Sequence, residues 1–170
     1  LAPPRYDLPF HLATDASDDG KGGVLYQLPG VPIDKQYPHD PILHAADKMA
    51  VISFYSKCWP EPLRGRPPFY LKADALLWGM EKARFYALSS PFTLYTYSDH
   101  APLRWITKSD KGAVSSFIIE ALSDLDVTHQ YVPGRHMTIP DSASRHPMLG
   151  PRRLAPRGLT HSIEELLYRL

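Results

Sequence analysis

Four aspartates occupy positions where acids can gather to do metal chemistry. Asp15 and Asp99 each close a β-type run directly after a small hydroxyl residue, as Thr14-Asp15 and Ser98-Asp99. Asp74 falls in the first turn of a long helical stretch, and Asp141 in a Pro-Asp-Ser turn after the last strand. A hard cation such as Mg²⁺ takes carboxylate oxygen and water, and a converged set of acids is what metal-assisted hydrolysis of phosphate esters requires. Taken singly, each acid has a local use as turn residue, cap or helix-dipole partner. Their joint order along the chain is the stronger signal.

Other side chains bear on the same chemistry. His136, in the loop Gly134-Arg135-His136, precedes the fourth acid and is an auxiliary candidate, although loop histidines ordinarily just meet solvent. His100 is expected to cap or pack the helix that follows it. Arg64 and Arg66, in a Pro-rich loop, and Arg135 are candidates for phosphate contact, with surface solvation as the competing use. Trp59 and Trp105 are candidate base-stacking aromatics, against core packing, which is the expected role of Trp78. Cys58 is the only cysteine, so neither a disulfide framework nor a multi-thiolate zinc site is available.

These residues must be positioned by regular structure, and the 18 prolines delimit where it can lie. Proline ends helices and is excluded from central strands, which leaves the windows 10–28, 42–59, 69–90 and 103–132. Phe10 to Asp15 alternates as a strand. The Asp/Gly-rich stretch 18–23 then reads as a hairpin loop before the apolar Val24-Leu25-Tyr26. Residues 44–49 look helical and 51–56 strand-like. From Tyr70 to Ser90, Leu76, Leu77, Met80, Ala83, Ala87 and Leu88 recur at helical spacing. Residues 92–99 form a β-branched and aromatic strand, 101–107 a short helix, 113–125 a longer one and 126–131 the last strand, with a helical piece near Asp141. The order β-β-β-α-β-α-α-β implies an α/β fold: a mixed five-stranded sheet with an antiparallel three-strand meander and flanking helices.

The run Phe10-His11-Leu12-Ala13-Thr14-Asp15-Ala16-Ser17-Asp18-Asp19-Gly20-Lys21-Gly22-Gly23-Val24-Leu25-Tyr26-Gln27 closely resembles the opening of the ribonuclease H domain of gypsy-type long-terminal-repeat retrotransposon reverse transcriptases. The resemblance continues through Ile52 to Lys57, through Tyr97-Ser98-Asp99-His100-Ala101-Pro102-Leu103, and through Tyr131-Val132-Pro133-Gly134-Arg135 and Asp141-Ser142-Ala143-Ser144-Arg145. It covers 1–146, with 29–50 as an insertion between strands two and three; 147–170 reads as a linker and short helix toward a neighbouring module. What it implies is a ribonuclease H-like fold with Asp15, Asp74, Asp99 and Asp141 as catalytic metal ligands. They would hold two Mg²⁺ ions, with Mn²⁺ as a substitute, and hydrolyse the RNA strand of an RNA–DNA hybrid. The implied partners are the hybrid, the polymerase and connection regions of the same polyprotein, and integrase. The implied location is intracellular: cytoplasm, virus-like particle or nucleus. The family carries Glu where the resemblance places Asp74, a shorter acid by one C–C bond, and Ala-Asp where this chain has Pro140-Asp141. These departures motivate the alternative, a domain of reduced or lost activity that acts as a structural tether or binding module.

Composition fits this picture. Apolar residues make up 44% and charged residues 22%, a globular balance without any apolar run near membrane-spanning length. The opening LAPPRYDLPF lacks the layout of a signal peptide. The net charge of +1 hides a partition: 147–170 carries four Arg against two Glu, leaving 15 bases and 16 acids in 1–146. Setting aside four metal-binding acids would leave 15 bases against 12 acids, a balance compatible with nucleic-acid binding.

Overall fold

The computed structural model describes residues 1–105 and 123–147. Strand β1 (His11–Ala16) pairs antiparallel with β2 (Gly20–Gln27), which pairs antiparallel with β3 (Ala50–Cys58). On its other side β1 pairs in parallel with β4 (Leu94–Ser98), and β4 in parallel with β5 (Val127–Tyr131). The order β3-β2-β1-β4-β5 is the expected mixed five-stranded sheet with its three-strand meander. A parallel step needs a crossover, and helix α1 (Pro68–Leu88) lies within the connection that leads to β4. Helix α2 (Thr138–Arg145) follows β5.

Each sheet face has its own core. Phe10, Leu12, Leu25, Ile52 and Leu94 cluster with Leu76, Leu77, Met80 and Ala83 of α1. Ala13, Val24, Tyr26 and Tyr97 cluster instead with Leu28, Val31, Val132 and Met137. The alternation read from Phe10 to Asp15 is therefore used on both faces. A Cβ at Gly79 would lie 2.6 Å from Thr14 Cγ2, so α1 crosses β1 closely at that point.

Several elements differ from expectation. Gly20 to Gly23, read as hairpin loop, belong to β2, and the turn shrinks to Ser17–Asp19. The glycines serve packing: a Cβ at Gly22 would lie 2.5 Å from both the Pro140 carbonyl oxygen and the Ser144 nitrogen of α2. α1 begins at Pro68, where a missing N–H costs nothing. β4 begins at Leu94 rather than Phe92. Asp141 sits within α2 rather than in a turn, because Pro140 occupies the helix's first turn, where no intrahelical bond is lost. The helix expected over 113–125 lies, up to 122, outside the described residues; so do the Trp105 side chain and the tail from 148.

The segment 29–50 is fixed to the sheet by buried polar contacts. Gln36 Nε2 donates to the carbonyls of Leu28 and Val31. Its Oε1 is thereby left to accept from His11 Nε2 at 3.0 Å, and His11 Nδ1 then accepts from Tyr97 OH. His44 follows the same logic, donating to the Gln36 carbonyl through Nε2 and accepting from Tyr26 OH through Nδ1. Burial holds the His11 pKa down at about 3, so both nitrogens keep these neutral roles. No helix among the described residues is long and apolar enough to cross a membrane.

Candidate functional site

Parallel pairing of β1 and β4 brings their C-terminal ends side by side, and this places Asp15 and Asp99 together. Asp15 is 5% exposed. The turn after β5 comes to the same end, since a Cβ at Gly134 would lie 3.2 Å from Asp99 Oδ2. Phe69 of α1 packs against His100, with ring centroids 5.7 Å apart, tying the start of α1 to the residue after Asp99. His100 thus packs on α1, the helix before it in sequence.

The α1 side chain that meets this pair is Lys72. Its Nζ lies 3.2 Å from Asp15 Oδ1, an ion pair outside hydrogen-bonding angles, and hydrogen-bonds Asp99 Oδ1. Burial works against the lysine's charge. The Asp99 hydrogen bond and the two carboxylate charges outweigh it, so the Lys72 pKa stands above its ordinary value. Burial, foremost, raises the Asp15 pKa; Lys72 pulls it down and Asp99 pushes it up.

Asp74 is not brought to the pair. Two residues separate it from Lys72, about 200° of helix rotation, and its carboxylate accepts from Lys21 Nζ of β2 at 2.5 Å. Lys21 is fully buried, 5.2 Å from the Trp59 ring centroid and 5.1 Å from that of Trp78. Trp59 is core, not a stacking platform: it is 2% exposed and its Nε1 donates to the Ser17 carbonyl. Trp78 is core as expected.

Asp141 accepts from Arg145 Nε at 2.8 Å, one helical turn on. That hydrogen bond raises the Arg145 pKa, with Asp141, Asp15 and Asp18 charges adding to it. His136 is exposed, and its Nε2 accepts from Arg135 Nε. Arg64, Arg66 and Arg135 are exposed, Arg64 within 3.5 Å of Glu61.

Two divalent ions do not fit this arrangement. They need a surplus of converging carboxylate charge. Here Lys72 already stands on the Asp15–Asp99 pair, Asp74 is held by Lys21 and Asp141 by Arg145, so each acid meets a base instead of adding to a shared surplus. Among the described residues no three His, Cys, Asp or Glu are grouped as a metal site would require. The structure places Asp74 on Lys21 and Lys72 beside Asp15 and Asp99.

Lys72 and Lys21 were not candidates from the sequence, although one signal was present. Lys72, Leu76, Gly79 and Ala83 form one helical stripe, and Gly79 is where α1 touches β1. Asp74 and Trp78 form another. The glycine in the first stripe is the one sequence feature that marks it as the stripe seated on β1.

Residues 5–125 match the model of the RNase H-like domain found in reverse transcriptase. No curated protein matches the sequence. Among solved structures, RNase H1 from the halophilic archaeon Halobacterium salinarum is similar with a TM-score of 0.53 and 14% identity over 81% of this chain and 96% of that one. LC11-RNase H1, isolated from compost by a metagenomic approach, gives a TM-score of 0.54 and 10% identity over 82% of this chain and 94% of that one. The foamy viral protease-reverse transcriptase, in complex with double-stranded DNA, gives a TM-score of 0.49 and 16% identity over 78% of this chain, but this chain spans only 22% of that protein.

Proposed function

Because the chain belongs to the RNase H-like domains found in reverse transcriptase, we propose that it holds an RNA–DNA hybrid within a retroelement polyprotein without hydrolysing its RNA strand. The observation that carries this reading is the contact of Lys72 with both Asp15 and Asp99. Two bare carboxylates would repel an approaching phosphate backbone; a lysine between them halves their net charge without a metal. The exposed Arg64, Arg66 and Arg135 supply further phosphate contacts, and each phosphate neutralised adds salt dependence to binding.

The gypsy-type origin, the adjoining polymerase and connection regions, the link to integrase and an intracellular location belong to the same proposal. The motif order from Thr14-Asp15 to Asp141 supports them. Metal-dependent hydrolysis is the second reading, and the placement of Asp15 and Asp99 at adjacent strand ends favours it.

The test measures a labelled RNA–DNA hybrid two ways. Fluorescence anisotropy in EDTA should show salt-sensitive binding. Incubation with Mg²⁺ or Mn²⁺ should give no more cleavage than Asp15→Asn. RNA cleavage that needs the metal and disappears in Asp15→Asn would establish the second reading instead.

A further inference from the structure

We infer that Lys72 is a tethered cation standing where a divalent ion would sit between Asp15 and Asp99, and that this one side chain keeps the wild-type pair closed to metal. The inference deepens the proposed function and rests on it for why a closed pair is useful.

The geometry is specific to position 72. Lys72 heads the helical stripe whose later member Gly79 lies against Thr14, so its side chain reaches the end of β1. It touches both carboxylates and is 16% exposed, leaving the place open to ions from solvent. A glutamate carboxylate oxygen from the same Cα ends about one bond, roughly 1.5 Å, short of the lysine nitrogen. A Mg²⁺–oxygen bond of about 2.0–2.1 Å spans that gap. A cation bound to such a carboxylate would therefore lie close to the present Nζ, with Asp15 and Asp99 as its other protein ligands. Position 74 offers nothing comparable, because its carboxylate is held by Lys21 in the interior.

Lys72→Glu should therefore convert the pair into a single divalent-cation site of three carboxylates. Thermal melting of the whole chain with and without 10 mM Mg²⁺ or Mn²⁺ reads this directly. Wild type should show no metal-dependent shift. Lys72→Glu should melt lower than wild type in EDTA, and metal should raise its Tm by about 3–6 °C for a site with a Kd of about 1 mM. Lys72→Gln removes the charge without adding a carboxylate and covers the case in which Lys72→Glu fails to fold. In this variant Mn²⁺ should broaden the amide NMR signals around Asp15 and Asp99, which it leaves sharp in wild type.

A metal-dependent Tm rise in wild type as large as in Lys72→Glu would overturn the inference. So would the absence of any Mn²⁺ effect on Lys72→Gln. Neither readout involves nucleic acid, so a failure to hold the hybrid would defeat the proposed function while leaving this inference standing.

Discussion

Two lysine–aspartate contacts lie two residues apart on α1 and have opposite characters. Lys21 and Asp74 are interior, 0% and 5% exposed at their side chains, enclosed by Trp59 and Trp78. Lys72 meets Asp15 and Asp99 at the rim, with side-chain exposures of 16%, 6% and 22%. The interior pair lies in a low-dielectric setting, where an unpaired charge is costly. The rim cluster holds two acids to one base, beside solvent, at the ends of parallel strands. The same chemical pairing is thus structural in one place and available to a ligand in the other. Exposure, not residue type, sets the difference.

The largest effect should come from breaking the interior pair. Lys21→Met strands a buried Asp74 charge and should cost about 3–5 kcal/mol in chemical denaturation, while Lys21→Met with Asp74→Leu recovers most of it. Lys72→Met, at the screened rim, should cost less than half as much. Equal losses would erase the contrast.

Acid tests whether either lysine region governs pH stability. Burial lowers the pKa of His11 to about 3 and of His129 to about 4. The unfolded chain therefore binds more protons below about pH 6.5, and stability falls as pH drops. From pH 6.5 to 5 each histidine should cost up to about 2 kcal/mol. Most of the loss should persist in Lys72→Met, reduced only where Asp15, without the lysine that pulls its pKa down, takes up a proton in the folded state; its complete disappearance there would place acid sensitivity at the rim.

The smallest effect is expected at the exposed Arg145–Asp141 pair. Arg145→Ala should move the Tm by no more than about 1 °C, whereas Arg135→Ala should weaken hybrid binding, seen as a shallower dependence of affinity on salt.

Much of the architecture was legible beforehand. Proline-free windows and alternating or helical spacing identified the meander, α1, β4 and β5, because those patterns record which side chains must be buried. The glycine run 20–23 was misassigned to a loop because glycine marks both turns and close packing. Only the seating of α2 on β2 distinguishes the two. The strand-end placement of Asp15 and Asp99 is legible because strand ends are local features. Asp74 was misplaced because its role depends on the rotation of α1.

Sequence by itself determined the order of elements, the two sheet faces and the acids at the strand ends, all set by local pattern and burial. Tertiary structure decided which α1 residue faces those acids. A helix turns by about 100° per residue, so a two-residue choice exchanges a carboxylate for an ammonium group. That choice was fixed by the close seating of Gly79 on Thr14, a contact between segments distant in the chain.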